Sequence, residues 1–189
     1  GQHLESLRQL SIIDYDGRVL IEKPLAIESR EFEWPRKAKC FVGYNLRFHP
    51  VLKRLKELIT SRKIYSTHVY VGSWLPSWRP SRDYRDCRSS VDPSEGGVLL
   101  ELSHELDFLC WLTGRWEKVS AYLIKASDLE IGREDTAGLL LQTVNCPVST
   151  VQLNYTDRIG AREIVINADD LSVRADLITS KIKANNEEE

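Results

Sequence analysis

Residues 96–114, GGVLLELSHELDFLCWLTG, form the strongest helical pattern of the chain and decide its fold class. Apolar residues recur there at the spacing of one helix face, and Gly114 is a suitable residue to end the helix. On a helical wheel one apolar arc contains Val98, Leu99, Leu102, Leu106, Leu109 and Leu112. We therefore predict a single helix over residues 96–112.

The pattern on the two sides of this helix differs. Upstream, we predict a helix over 3–10, a short buried strand over 19–21, a strand over 41–48, a helix from Pro50 to about Arg62 and a strand over 64–74. A long loop over 75–95 then precedes the helix. Downstream, every pattern is that of a strand: 116–125, 136–144, 148–155, 162–167 and 171–178. Short turns between them favour antiparallel neighbours.

These elements predict an α+β fold. It consists of an open, mostly antiparallel sheet of about six strands with helices on one face. The helix, turn and strand at the start are the closing piece of an α/β unit. We assign residues 1–37 to that unit and its crossover, 38–180 to the α+β domain and 181–189 to a polar, frayed tail.

The composition excludes several classes of protein. The net charge of −2 gives no general attraction to nucleic acid or to anionic membranes, and no apolar run approaches the ~18 residues of a membrane span. The four cysteines are scattered without a C-x-x-C pair, which favours reduced thiols over a disulfide framework or a zinc site. We predict a cytoplasmic protein without a metal.

Residues 18–26, RVLIEKPLA, contain the first candidate for chemistry. An apolar strand ends there at Glu22-Lys23-Pro24, and ligands of open α/β sheets bind beyond the carboxyl ends of strands. A lysine at this place can donate a proton or hold an anionic oxygen. The alternative is a solvated strand end with an ordinary surface lysine.

Glu101 and His104 are the second candidate, because a spacing of three places them together on one flank of the predicted helix. Asp107 follows at the same spacing. A histidine held by a carboxylate at the edge of a buried face can act as a general acid or base. The alternative is a helix-surface pair. A zinc-protease motif is excluded, since H-E-x-x-H would need a histidine where Phe108 stands.

The third candidate is the loop over 73–90, SWLPSWRPSRDYRDCRSS, which alternates aromatic residues with arginines. Aromatic faces stack on sugar rings or bases, and guanidinium groups bind phosphate or carboxylate. Aspartates within the loop and the acidic chain favour a small anionic or sugar ligand over nucleic acid. The alternative is a surface loop whose aromatic residues pack on the core. The substrate candidates here are Trp78, Arg79, Tyr84 and Arg85.

Taken in order, three strings resemble the Gfo/Idh/MocA family, named for glucose–fructose oxidoreductase, inositol dehydrogenase and rhizopine catabolism. VLIEKPLA is similar to the family's E-K-P signature, GYNLRFHP (43–50) to the strand and turn that follow it, and GGVLLELSHELDFLCWLTG to its histidine-bearing helix. The resemblance implies an NAD(P)-dependent oxidoreductase acting on the CH–OH group of a sugar, nucleotide sugar or polyol. Residues 1–37 would then be the last helix and strand of a Rossmann-type domain.

The resemblance also implies roles for individual residues. Lys23 and His104 would be catalytic, with His104 as the acid/base for the proton that accompanies hydride transfer. The cofactor, NAD or NADP, would be contacted by Glu22, Lys23, Pro24, Asn45 and Arg47. The substrate would be contacted by Glu101 and His104, together with Trp78, Arg79, Tyr84 and Arg85, which the composition of the loop over 73–90 suggests.

Two departures from the family pattern limit these expectations. The glycine-rich G-x-G-x-x-G loop and most of the nucleotide-binding half are absent from the sequence, so we expect weak or no dinucleotide binding by this chain alone. We also expect the sequence to be a fragment, because it has no methionine and starts inside a predicted helix. Leu100 also occupies the place of the family's aspartate four residues before the histidine, where Glu101 would have to replace it.

The missing loop leaves a second function open, that of a non-catalytic module for ligand binding or dimerisation. An open sheet face needs a cover, and the sequence has no second helical layer to provide it. We therefore expect a homo-oligomer assembled through the open sheet, with a small sugar or polyol as ligand and no nucleic acid or membrane partner.

Overall fold

The computed structural model describes residues 2–27, 31–87, 96–185 and 187–188. Residues 88–95 of the predicted loop and residues 28–30 of the predicted crossover lie outside them. The chain divides into two compact units, the first up to Asn45 and the second from Leu46 onwards. Each unit has its own sheet.

The first unit contains the predicted closing piece of an α/β unit. Helix α1 spans Gln2–Ile12, and strands β1 (Arg18–Ile21) and β2 (Lys39–Val42) form a parallel pair. The strand predicted over 41–48 is wrong beyond Val42. Gly43 N still donates to Ile21 O at 2.8 Å, but Tyr44 N then turns back to Val42 O, and a 3-10 helix follows over Asn45–Phe48.

The second unit is built of three α-helices and eight strands among the described residues. In chain order they are α2 (Pro50–Leu58), β3 (Ile64–Gly72), α3 (Val98–Glu101), α4 (His104–Thr113), β4 (Trp116–Ile124), β5 (Thr136–Thr143), β6 (Cys146–Asn154), β7 (Ala161–Ala168), β8 (Ser172–Asp176), β9 (Lys181–Ala184) and β10 (Glu187–Glu188).

The eight strands form one sheet in the order β10-β9-β8-β7-β3-β6-β5-β4. Only the described pair β3–β6 is parallel, while the other described pairs of this sheet are antiparallel. The predicted α+β class with a mostly antiparallel sheet is confirmed. The predicted number of strands, about six, is too low, because Lys181–Ala184 and Glu187–Glu188 of the predicted polar tail form β9 and β10.

The core lies on the face of the sheet that the helices cover. Alternation along the strands sets this face, as in β5, where Leu139 is buried and Leu140 is 53% exposed. Helices α2 and α4 contribute Leu55, Phe108 and Leu109, each at most 1% exposed. Burying one such side chain stabilises the fold by about 1.5–3 kcal/mol.

The helix predicted over 96–112 is interrupted, and this part of the prediction is wrong. Helix α3 ends at Glu101, Leu102 and Ser103 form a turn, and α4 begins at His104. The apolar period runs through this turn without a break, so the sequence shows no sign of it. The two helices are held by different partners, and those contacts define the candidate site.

Candidate functional site

The candidate site lies at the sheet edge where the parallel strands β3 and β6 end. Gly72 and Asn154 are paired as their last residues. Beyond them Ser73 N donates to Asn154 O at 3.2 Å, and Leu75 N donates to Tyr155 O at 3.1 Å. We call the loop over 73–90 the aromatic–arginine loop. Its described part and the turn after β6 therefore leave the sheet side by side.

The β4–β5 connection, residues 125–135, is fixed to the same edge by Asp135. Its carboxylate is fully buried and accepts hydrogen bonds from Ala126 N (2.9 Å), Ser127 N (2.9 Å), Ser127 Oγ (2.6 Å) and Thr136 Oγ1 (3.0 Å). Burial alone would raise the pKa of Asp135, but these bonds outweigh burial and hold the pKa below its usual range. Asp135 O also accepts from Tyr155 N at 2.9 Å, which joins this connection to the end of β6.

Helix α3 begins directly on this connection. Val98 N donates to Glu134 O at 3.1 Å, and Leu99 N donates to Glu134 Oε1 at 3.3 Å. Gly97, with φ 117° and ψ 151°, makes the bend before the helix, in a region of backbone space that is open almost only to glycine. Helix α3 thus places Glu101 at its C-terminus, followed by the turn that leads to His104.

Helix α4 is held by two arginines through carboxylates of its first turn. Glu105, which is 0% exposed, accepts from Arg162 Nε at 2.7 Å, so α4 is fixed to β7. Asp107 accepts from Arg47 in a two-pronged bond, Nε to Oδ2 at 2.7 Å and Nη2 to Oδ1 at 2.5 Å. These contacts fix the orientation of the turn that carries His104. Asp107, expected as a neighbour of His104, is the carboxylate that binds Arg47.

Within the aromatic–arginine loop, two of the four predicted substrate residues form contacts with residue 130. Arg85 binds Asp83 at 2.6 Å and Glu130 at 3.1 Å, and the hydroxyl of Tyr84 accepts from Glu130 N at 3.2 Å. Its charged partners raise the pKa of Arg85, chiefly through the hydrogen bonds to Asp83. These contacts tie the loop to the β4–β5 connection.

The other two residues of this loop are presented differently. Trp78 is half-buried, and its ring meets the ring of Tyr155 edge-on, at 5.3 Å between centroids and 89° between planes. Arg79 is exposed, and its Nη1 lies 3.4 Å from the sulfur of the buried Cys87. Trp78 therefore has a fixed ring with one part accessible to a ligand, beside an accessible guanidinium group.

Sequence reasoning missed several residues at this edge, among them Tyr155, Arg158, Glu134 and Asp135. The guanidinium of Arg158 lies over the ring of Trp74, 3.9 Å from its centroid. The strand end N-Y-T-D, residues 154–157, was the available signal, because polar and aromatic residues at a strand end often serve a site. The alternation over 148–155 predicts only a strand, so it gives no sign of a site at its end.

The predicted residues of the first unit follow its two strands. Lys23 and Pro24, joined by a cis peptide bond, come two and three residues after the end of β1 and are half-buried. Glu22 is exposed, and its Oε2 lies beside Gly43 at the end of β2. Asn45 is the last residue of this unit and begins the 3-10 helix. These residues thus lie where the two parallel strands end.

The second unit brings together groups suited to a polar, ring-shaped ligand. A half-buried carboxylate and a half-buried imidazole, Glu101 and His104, flank the α3–α4 turn. Trp78 and Arg79 supply an aromatic face and a cation at the same edge of the sheet. Carboxylates accept from hydroxyl groups, imidazole transfers protons near neutral pH, and arginine binds phosphate or carboxylate. Among residues 2–27, 31–87, 96–185 and 187–188 no His, Cys, Asp and Glu side chains form a metal-binding group of three.

Comparison with known proteins gives one family and many solved structures. The profile of the GFO/IDH/MocA C-terminal domain matches residues 52–174. Of the curated proteins, none matches the sequence. Across the part of the chain that the structure describes, no helix is long and apolar enough to cross a membrane.

Three solved structures illustrate the likeness of the fold. The WlbA dehydrogenase from Bordetella pertussis, in complex with NADH and UDP-GlcNAcA, is 23% identical with a TM-score of 0.81 over 97% of this chain and 55% of its own. UDP-N-acetylglucosamine 3-dehydrogenase GnnA from Acidithiobacillus ferrooxidans is 17% identical with a TM-score of 0.75, over 100% and 59%. An inositol dehydrogenase homolog from Azotobacter vinelandii, complexed with NAD+, is 16% identical with a TM-score of 0.80, over 100% and 54%. The chain thus spans somewhat more than half of the length of each of these proteins.

Proposed function

The chain belongs to the GFO/IDH/MocA C-terminal domain family, and on that premise we propose that it is the substrate-binding part of an NAD(P)-dependent oxidoreductase. The reaction acts on the CH–OH group of a sugar, nucleotide sugar or polyol. One observation carries the proposal: Tyr155 at the end of β6 packs against Trp78, and the charge of Glu101, three residues before His104, acts on its buried hydroxyl. An aromatic face, a carboxylate and a proton-transferring group are what oxidation of a sugar hydroxyl requires.

In this proposal His104 takes the proton of the substrate hydroxyl, and returns it in the reverse direction. The hydride from the same carbon would go to the nicotinamide of NAD(P)+ when the cofactor is bound. Lys23 is proposed as the second catalytic residue, because a lysine ammonium group can donate a proton or hold an anionic oxygen. Glu101 accepts from a neighbouring hydroxyl group and so orients the ring. Glu105 and Asp107, in the first turn of α4, each form a salt bridge with an arginine. These salt bridges keep the turn between α3 and α4 in one orientation.

The residues of this chain do not fit a whole dinucleotide. The sequence has no G-x-G-x-x-G loop, and the described part of the first unit is one helix with two parallel strands. The pyrophosphate would therefore lack the helix N-terminus whose N–H groups bind it. Glu22, Lys23, Pro24, Asn45 and Arg47 are proposed as the cofactor side of the site once a dinucleotide-binding domain, for NAD or NADP, is present.

A nucleotide sugar is the substrate that the second unit favours among the three classes. Arg79 and Arg158 are exposed guanidinium groups on the two loops that leave the edge of β3 and β6. A diphosphate needs such cations, whereas a neutral polyol does not. The WlbA and GnnA structures are those of nucleotide-sugar dehydrogenases by their own descriptions, which agrees with this choice. Tyr84 and Arg85, by their bonds to residue 130, hold the loop in place for Trp78 and Arg79.

A second function, that of a non-catalytic module for ligand binding and dimerisation, is favoured by the outer face of the sheet. Tyr122, Leu140 and Val148 lie on the neighbouring strands β4, β5 and β6. Their side chains are nevertheless 70%, 53% and 47% exposed. Clustered exposed apolar residues mark association sites. We propose a homo-oligomer through this face in either case. The four cysteines are free thiols, and we place the protein in the cytoplasm.

Saturation-transfer NMR of the chain with UDP-N-acetylglucosamine, myo-inositol, NADH and NADPH tests the proposal. We expect saturation transfer to the UDP-sugar, with weak or no transfer to the two dinucleotides. An Arg79→Ala variant should weaken UDP-sugar binding about tenfold or more, whereas Arg8→Ala on α1 should leave it unchanged. Binding of dinucleotides without binding of any sugar ligand would refute the proposal.

A further inference from the structure

The hydroxyl of Tyr155 is an unusual group at the candidate site. Tyr155 directly follows β6, its side chain is 0% exposed, and its hydroxyl has no hydrogen-bond partner among the described residues. Buried polar groups in folded proteins nearly always have a partner. A hydroxyl that lacks one destabilises the fold, so its presence calls for an explanation.

The ring of Tyr155 is held firmly, so a loosely placed side chain does not explain the hydroxyl. Its backbone N–H donates to Asp135 O at 2.9 Å and its carbonyl accepts from Leu75 N at 3.1 Å. The ring packs edge-on against Trp78. Tyr155 thus connects the aromatic–arginine loop, the β4–β5 connection and the end of β6.

Two carboxylates lie near this hydroxyl. Burial, and then the negative charges of Glu101 and Glu134, raise the pKa of Tyr155, so the phenol keeps its proton and remains a donor. The carboxylate of Glu134 already accepts from Leu99 N at the start of α3. Glu101 ends the same helix, beside the turn to His104, and is the carboxylate proposed above for the substrate.

We propose that Tyr155 is a positioning residue of the sugar site: its hydroxyl donates a hydrogen bond to the carboxylate of Glu101 when a sugar ligand packs on Trp78. The inference rests on the proposed function. Ligand binding thereby supplies the partner that the hydroxyl lacks among the residues that the structure describes. Glu101 is then fixed for its bond to the ligand, and the cost of the buried hydroxyl is recovered on binding.

Tyr70 provides the matched control, because its hydroxyl has the partners that Tyr155 lacks. It donates to Asp157 Oδ2 at 2.7 Å and accepts from Asn154 Nδ2 at 3.2 Å, at the same edge of the sheet. Replacing Tyr70 by phenylalanine removes two hydrogen bonds, whereas the same change at Tyr155 removes none to the described residues. Each variant loses one hydroxyl group relative to wild type. The two changes differ only in what that hydroxyl contacts.

The experiment compares wild type, Tyr155→Phe and Tyr70→Phe in the 189-residue chain. Thermal unfolding without ligand should show an unchanged or higher Tm for Tyr155→Phe and a lower Tm for Tyr70→Phe. NMR titration with UDP-N-acetylglucosamine should show at least fivefold weaker binding for Tyr155→Phe. In wild type labelled with 13C at the tyrosine ζ carbon, the resonance absent from Tyr155→Phe should shift as the ligand binds.

Each result decides between the two proposals. Equal affinity of Tyr155→Phe and wild type, or a ζ-carbon resonance that does not move on binding, overturns the role of Tyr155 and leaves the proposed function intact. A Tyr155→Phe chain that loses as much Tm as Tyr70→Phe shows a merely structural hydroxyl and also overturns it. If the wild type does not bind the UDP-sugar, the proposed substrate class is refuted and the role of Tyr155 is refuted with it.

Discussion

Replacing Asp135 by asparagine tests how the candidate site is held together. Each carboxylate oxygen of Asp135 accepts two hydrogen bonds, Oδ1 from Ala126 N and Thr136 Oγ1, and Oδ2 from the N–H and the hydroxyl of Ser127. Asparagine keeps one oxygen and points an N–H2 group at the donors of the other. A hydroxyl can rotate to accept from this group, but a backbone N–H cannot.

The magnitude follows from these bonds. Hydrogen bonds to a charged group contribute about 1.5–3 kcal/mol each, and one of the two bonds on the lost oxygen can be replaced. We expect Asp135→Asn to lower the free energy of unfolding by about 3 kcal/mol, which for a domain of this size is a fall in Tm of about 6–12 °C. Asp176→Asn is the control. Its carboxylate accepts three bonds, from Ile178 N and from the N–H and hydroxyl of Thr179, but it is half-buried at the end of β8, so a loss of about 1 kcal/mol or less is expected.

The pH dependence gives an independent check. Because the pKa of Asp135 is depressed in the folded chain, its contribution is complete above the pKa of about 4 of an unfolded aspartate and is lost as the pH falls through the lower folded value. The Tm difference between wild type and Asp135→Asn should therefore shrink below about pH 4. Thermal unfolding followed by circular dichroism measures both effects. A difference under about 0.5 kcal/mol at neutral pH, or one that grows on acidification, would refute the reasoning.

Three further predictions concern the contacts around the site and the outer sheet face. Arg162→Met removes the guanidinium from the fully buried Glu105 and should cost about 3–5 kcal/mol in chemical denaturation. Gly97→Ala forces a side chain into φ 117° and should cost about 1–3 kcal/mol in the same assay. Tyr122→Glu puts a charge on an exposed apolar face and should convert an oligomer into a monomer in sedimentation velocity.

Each of these has a matched control. Adding Glu105→Leu to Arg162→Met should recover much of the stability, because it removes the buried charge. Gly138→Ala should be nearly neutral, since no atom lies within 4 Å of the added Cβ. Ile159→Glu, at a side chain that is 97% exposed on a turn, should not change the oligomeric state. Equal effects of a variant and its control would contradict the corresponding argument.

The sheet could be predicted from sequence because its signals are local. Alternation along strands such as 136–143 and short turns such as Val144-Asn145 determine strands and antiparallel neighbours within a few residues. Strand β9 was missed because Lys181-Ile182-Lys183-Ala184 has a single large apolar residue, which is 4% exposed, among outward lysines. That is the pattern of a strand near a sheet edge, and its composition is also that of a polar tail.

The break between α3 and α4 could not be predicted, since distant partners cause it. Helix α3 starts on Glu134, while α4 is fixed through Glu105 to Arg162, which is 57 residues further along the chain. No local sequence pattern predicts contacts between residues so far apart in the chain. The same limit applies to Tyr155, because its burial and its contact with Trp78 exist only once the strand order is known. His104 is a candidate from sequence alone because the motif that resembles the family's helix marks it.

Hydride transfer is the most direct measurement of the proposed function. A fusion that places a dinucleotide-binding domain before this chain adds the cofactor site that the proposal requires, and reduction of NAD+ by UDP-sugars is followed at 340 nm. We predict turnover by the fusion, a loss of about 100-fold or more in kcat for His104→Ala and Lys23→Ala, and little change for Lys37→Ala, whose amine pairs with Asp14 on the surface. Turnover that survives both substitutions would contradict the account.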